Sequence, residues 1–276
     1  MILIHDIRLP LSAGEPQAYE KALRLARIPR GKVSHLGIAR LSVDARHGQP
    51  KLVYTVAMTL KEEGEEAAYA GASRSVTVRG KTDLSVQNGT LLLTHRPVVC
   101  GLGPAGLFAA LLLARQGYRP IVLERGPALD ERVQAVEHFS ATGELDENAN
   151  IQFGEGGAGT FSDGKLTTRI KDPRCRKVLE EMVAAGAPEE ILYDAKPHIG
   201  TDLLRGVVKQ LREKIISLGG EVRFFAKVTG FQWENDRVQA VFLQNGEKIE
   251  AEDVVLALGH SARDTFTLLY EEKFAL

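Results

Sequence analysis

Pro97 to Gly126 reads PVVCGLGPAGLFAALLLARQGYRPIVLERG. Val98, Val99 and Cys100 form a short apolar run that leads into Gly101-Leu-Gly103-Pro-Ala-Gly106. A helical run continues to Gln116 and stops at Gly117; a second apolar run, Ile121 to Leu123, closes on Glu124. Strand, tight glycine turn, helix and parallel strand make the unit that binds a dinucleotide. Gly101 permits the turn, Gly103 lets backbone approach a pyrophosphate, and Gly106 lets the helix pack close to the strand. The helix start, at Pro104 and Ala105, presents the unpaired N–H groups that follow the proline and a positive dipole end to a diphosphate. Glu124 is placed to accept both ribose hydroxyl protons, which favours a free ribose over a 2′-phosphate and argues against NADP here. Gly154-Glu-Gly156-Gly157-Ala-Gly159 repeats the glycine spacing, but Thr-Phe-Ser-Asp-Gly follows it in place of a helix and an acid-tipped strand. Residues 97–114 carry no charge, yet Gly101, Gly103, Pro104 and Gly106 leave too short an apolar span to cross a bilayer. The helix is expected to be buried.

The whole chain has 276 residues, 44% of them hydrophobic, enough for one large domain or two ordinary ones. A formal charge of −1 gives no global attraction to nucleic acid or anionic membranes. Its two cysteines, Cys100 and Cys175, belong to no metal-binding or C-x-x-C spacing, and no metal site is expected. The start, MILIHDIRLPL, lacks the basic and long apolar regions of a signal peptide, so a reducing cytoplasm is the expected location.

Residues 1–93 read as a small α+β domain and 94–276 as a Rossmann-like α/β domain. In the first, Ile2–Leu11 is a strand and Pro16–Ala26 an amphipathic helix turning Ala22, Leu23 and Ala26 inward. Ser34–Ala45 and Lys51–Leu60 form a hairpin, with further strands at Ser75–Arg79 and Leu91–Leu93. Arg30, Arg40, Arg46, Arg74 and Arg79 offer a basic face, but no aromatic platform for single-stranded RNA accompanies them.

In the second domain Leu129–Phe139 is helical. Asn150 to Thr168, NIQFGEGGAGTFSDGKLTT, is too rich in glycine for a regular helix or a central strand. It suits a loop wrapped around a flat ligand, with Lys165 a cation for the pyrimidine end of a flavin. Arg174–Ala185 and Thr201–Leu218 are helices, the latter capped by Thr201. Glu221–Phe231 is expected as one strand of the sheet, passing an adenine near Lys227 and Val228. A hairpin turns at Asn245-Gly246. Asp253 to Leu258 reads as a buried parallel strand, so Gly259 to Asp264 beyond it should face a cofactor.

Three stretches together resemble the bacterial FAD-dependent, NAD(FAD)-utilising dehydrogenases: GLGPAGLFAALLLARQGYRPIVLERG, NIQFGEGGAGTFSDGKL and DVVLALGHSARDTF. RLSVDAR, at 40–46, is similar to the N-terminal domain of the same family. The resemblance implies an FAD-dependent oxidoreductase acting on an unknown small molecule, with NAD(P)H a candidate transient electron donor. It places FAD on Gly101, Gly103, Pro104, Ala105, Gly106, Glu124 and Arg125. Along the flavin it places Gly156, Gly157, Ala158, Thr160, Asp163 and Lys165 of the second stretch, with Val228 and Gly259 completing the site. No catalytic residue is assigned; Asp163, Lys165, His198 and His260 are the candidates. Relatives continue past the third stretch into a substrate-binding sheet and a Gly-Asp segment, so a chain closing at Leu276 reads as a fragment of a longer protein or a shortened gene product. Two alternatives stand beside this reading: an FAD-dependent RNA-modifying enzyme, and an FAD-binding module without chemistry.

Overall fold

The structure, a computed structural model, describes residues 1–274 apart from 47, 63, 72, 81, 163 and 169. The chain forms two compact units, each assembled from separated segments. The first comprises Met1–Ser85, Leu166–Val183 and Pro188–His198; the second comprises Val86–Lys165, Ala184–Ala187 and Ile199–Leu276.

In the first unit, β1 (Ile2–Pro10), β2 (Val33–Asp44), β3 (Lys51–Leu60) and β4 (Val76–Val78) build an antiparallel sheet of order β2-β3-β1-β4, with the helix α1 (Glu15–Ala26) following β1. Every second residue of β3 from Tyr54 to Leu60 is buried, the period of a strand with one covered face. Ala18, Ala22 and Ala26 recur at helical spacing on the buried face of α1, where small side chains let the helix lie close to Ile4, Ile7, Tyr54 and Met58. Gln17 Oε1 accepts the Gly14 N–H at 3.0 Å at the start of α1, and Arg27, with φ +55°, ends it. β2 is also bonded from a distant segment: Leu41 N–H donates to the Tyr193 carbonyl (2.8 Å) and Ala195 N–H to that of Leu41 (2.9 Å). Leu91–Leu93 forms no strand; its backbone has no sheet partner, and Leu91 and Leu92 are 85% and 97% exposed.

The second unit is layered. Parallel strands β5 (Val98–Cys100), β6 (Ile121–Leu123), β7 (Glu221–Arg223) and β11 (Val254–Leu256) run in the order β11-β5-β6-β7. Two helices, α2 (Pro104–Arg115) and α5 (Thr201–Ser217), pack together on one face, burying Leu107, Leu111, Val207, Val208 and Leu211. The other face, Val98, Cys100, Ile121 and Leu123, meets an antiparallel sheet of β8 (Val228–Glu234), β9 (Arg237–Leu243) and β10 (Lys248–Glu250), with Leu269 of α6 (Arg263–Glu271). Both faces of a parallel sheet are thus covered, as its apolar strands require. The remaining helices are α3 (Leu129–Thr142) in this unit and α4 (Arg174–Ala184), nearly all of which groups with the first unit.

Three local expectations are corrected. The run Glu221–Phe231 is two strands, because Phe225 takes φ +55° and its N–H bonds to the Gly126 carbonyl (3.0 Å), turning the chain out of the parallel sheet. Thr201 does not cap α5: Gly200 holds that position, and the Thr201 hydroxyl donates to the Ser162 carbonyl at 3.0 Å. β11 is not buried, since it lies at the edge of the sheet and Val255 and Leu256 are exposed.

Candidate functional site

The turn after β5 is shaped by what its glycines must avoid. Gly101 has φ +102°, and a Cβ there would come within 2.5 Å of the Ala257 carbonyl oxygen; one at Gly106 would run into the Gly101 carbonyl. These two positions hold strand and helix together. At Gly103 a Cβ would meet no chain atom within 4 Å, and the space it leaves belongs to a cleft. Pro104 opens α2 at the first helical position, where its missing N–H costs nothing, and the remaining first-turn N–H groups have no partner within the helix.

The cleft encloses about 190 Å³ beyond the carboxyl ends of β5, β6 and β11, where ligands of open parallel sheets bind. Ten residues picked out from the sequence line it: Gly101, Gly103, Pro104, Ala105, Glu124, Arg125, Gly157, Ala158, Val228 and Gly259. Gly106 lies beneath the turn. Gly156 and Thr160 are buried behind the wall, where the Thr160 hydroxyl donates to the Gly157 carbonyl at 2.8 Å. Lys165 is exposed and is not among the lining residues, and Asp163 lies outside the described residues. His260 is exposed; His198 is exposed in the first unit. Phe153 and Ala262 of the lining fall within the stretches 150–168 and 259–264 expected to meet a ligand, whereas the sequence reading missed Leu258 and Thr265.

Glu124 is 3% exposed at the tip of β6, and its two oxygens accept backbone N–H bonds from Leu102 (2.8 Å) and Gly126 (2.9 Å). A carboxylate has about four acceptor positions, so further donors can still be accepted. Beside it, Arg125 Nη2 donates to both oxygens of Asp264 (2.9 and 3.1 Å) and to Thr265 Oγ1 (3.1 Å), and its guanidinium lies 5.6 Å from the Phe153 ring centre. Lys227 Nζ reaches Asp264 at 2.7 Å. Burial opposes ionisation of Asp264, but the bonds from Arg125 and Lys227 outweigh it and hold its carboxyl well below the usual carboxylate range.

The glycine-rich loop forms the facing wall. Gly156 N–H donates to the Leu102 carbonyl (2.9 Å), tying the loop to the turn. Behind it, Arg132 of α3 is fully buried and donates to the loop's carbonyls. Burial lowers the Arg132 pKa to about 10, against the fields of Glu124 and Glu155. Glu155, also fully buried, accepts the Leu129 N–H (2.7 Å) and both oxygens meet Arg212 Nη1 at 2.9 Å. Burial pushes its carboxyl up, opposed by Arg212 and the Leu129 N–H. None of these three charged residues stood out in the sequence. Arg132 was the findable one: it falls on the helical face that carries Leu129 and Val136.

Residues 95–270 match the pyridine nucleotide-disulphide oxidoreductase family. The chain belongs to that family. Its second unit therefore carries the Rossmann-like nucleotide-binding fold of an oxidoreductase family. Residues 1–59 match a domain of unknown function (DUF8436). An uncharacterised protein of Clostridium beijerinckii is 44% identical over 277 residues, a match covering 100% of this chain and 52% of the relative. The chain thus spans about half the length of that relative. Among solved structures, Thermovibrio ammonificans THI4 is 20% identical, with 66% of this chain and 64% of that one covered and a TM-score of 0.43. Glycine oxidase from Bacillus cereus is 13% identical (58% and 56% covered, TM-score 0.38). L-Proline dehydrogenase from P. horikoshii is 16% identical (61% and 54% covered, TM-score 0.33). Both cysteines, Cys100 and Cys175, are free, and burial pushes the Cys100 thiol up to about 12. Among the described residues no helix is long and apolar enough to cross a membrane.

Proposed function

We propose that the second unit binds FAD and that the protein is an FAD-dependent oxidoreductase, with NAD(P)H as a transient electron donor. The observation that carries this reading is the cleft itself: the glycine turn, the start of α2 and the buried Glu124 carboxylate converge at the ends of parallel strands. The residues fit the group. Gly103 and Gly259 line the cleft, and a Cβ at either would meet no chain atom, so a side chain there would take up the ligand's space.

In this reading Glu124 holds the adenosine ribose through its remaining acceptor positions. The first turn of α2 holds the diphosphate, whose charge the dipole end favours. Ala226 and Val228 form the adenine wall. Arg125 is kept in place by Asp264 and by the ring of Phe153. The apolar lining from Leu123, Leu258 and Ala262 excludes water, which strengthens these polar contacts. When bound, FAD supplies two-electron transfer, and the protein contributes position and electrostatics.

A visible absorption spectrum of the purified protein, taken before and after adding FAD and desalting, tests the proposal. Flavin bands that survive desalting are the expected result. A folded protein that carries no flavin and takes none up overturns it.

A further inference from the structure

A run of glycines has few side chains from which to build a core, and residues 150–161 close instead around one guanidinium. Arg132 Nε donates to the Asn150 carbonyl (3.0 Å) and Nη2 to that of Ile151 (3.1 Å). Nη1 donates to the carbonyls of Glu155 (2.7 Å) and Gly157 (3.0 Å) and to Thr160 Oγ1 (3.1 Å). The Phe161 ring centre lies 4.8 Å from the guanidinium carbon. Arg132 does not itself line the cleft; it stands behind the wall that does.

We infer that Arg132 is a positioning residue for the cofactor: through these bonds it sets the loop wall that meets the part of the cofactor beyond its adenosine diphosphate. The inference rests on the FAD reading above. Gly154 has φ +111°, and a Cβ there would come 2.8 Å from Arg132 Nε, so loop and guanidinium are fitted to each other. Because a trans peptide points its C=O and N–H in opposite directions, the Gly157 carbonyl bonded to Arg132 turns the Ala158 N–H the other way. Gly157 and Ala158 both line the cleft, and among the described residues that N–H has no acceptor. Burying a cation without a carboxylate hydrogen bond is costly. A filler that merely closed the loop could have been apolar. A planar fork with five donors can fix several carbonyls at once, which an ammonium cannot.

The test compares FAD and ADP binding to the parent protein, Arg132→Lys, Arg132→Met and Gly154→Ala, with folding checked by circular dichroism. Expected is a loss of FAD affinity of about tenfold or more, with ADP affinity within about threefold of the parent, the size of effect a displaced contact wall gives. The visible band of bound flavin should move toward that of free FAD, and Arg132→Lys should recover only part of the loss. If Arg132→Met does not fold, Arg132→Lys and Gly154→Ala carry the comparison. Equal losses of both ligands, or unchanged FAD binding and spectrum, overturn the positioning role while leaving the FAD reading standing. A parent protein that binds neither ligand overturns both.

Discussion

Glycine in the turn after β5 does two different jobs, and substitution should separate them. Gly106→Ala drives a methyl into the Gly101 carbonyl, so it is expected to cost more than about 3 kcal/mol and to lower the melting temperature sharply. Gly103→Ala adds a Cβ that meets no chain atom within 4 Å; it should cost about 1 kcal/mol as a poorer helix cap while reducing flavin retention at least about tenfold, or 1.4 kcal/mol. Thermal melts and flavin titrations of the two variants check this, and similar behaviour of both would contradict it. Asp264 gives a second expectation. Its folded-state pKa is depressed, so its contribution is present above the ordinary carboxylate pKa of about 4 and disappears as pH falls below it. Melting temperatures of the parent and Asp264→Asn should differ at pH 7 and converge below about pH 4. Glu155 runs the other way: its pKa is raised by burial, so ionising it as pH rises subtracts stability. At this scale the sequence was most legible where chemistry and backbone geometry coincide, as at Gly101, Gly103 and Glu124. Glu155 and Arg212 were not legible, because burial of a charge depends on partners brought together by the fold, and no spacing records them.

Elements were legible where hydrophobic period and punctuation agreed. The expected helix at Arg174–Ala185 forms as Arg174–Ala184, and the Asn245-Gly246 hairpin forms with Gly246 at φ +84°. The strand from Glu221 onward was misread as continuous because a phenylalanine at positive φ gives no warning in composition; its turn is bought by tertiary bonds to Gly126 and Glu124. Burial of β11 was misread because Val-Val-Leu looks the same at a sheet's centre and at its edge. The packing of α6 offers a test by fluorescence. Trp233, the chain's single tryptophan, stands edge-on to Phe274 with centroids 4.6 Å apart, and its Nε1 donates to Glu272 at 3.2 Å. Phe274→Ala should shift Trp233 emission to longer wavelength and cost about 1–2 kcal/mol, less than a fully buried phenylalanine. An unchanged emission maximum would show that the ring contact does not shelter the indole.

Across the whole molecule, the order of the segments matters more than any single boundary. Two domains were expected as consecutive pieces; by contact, residues 166–183 and 188–198 group with the N-terminal sheet. Sequence patterns are local and do not report such a return. Limited proteolysis should make it visible. Leu91 and Leu92 stand exposed in a stretch without regular structure, so a protease cutting at leucine is expected to nick there first. The two pieces should still co-elute under native conditions, because Leu41 is bonded to Tyr193 and Ala195 across the cut, and should separate in denaturant. Fragments that part company without denaturant would show that these bonds do not hold the unit.

That return also has a consequence for biosynthesis. The first unit begins at Met1 but closes only with residues up to His198. At ordinary elongation rates its N-terminal sheet therefore waits on the order of ten seconds on the ribosome for its last segment. Through that interval the β2 backbone at Leu41 is open to pairing with whatever strand is nearby, including the same strand on a neighbouring nascent chain. Translation speed between Ser85 and His198, and the crowding of ribosomes on one message, become determinants of how much of this protein reaches its native state.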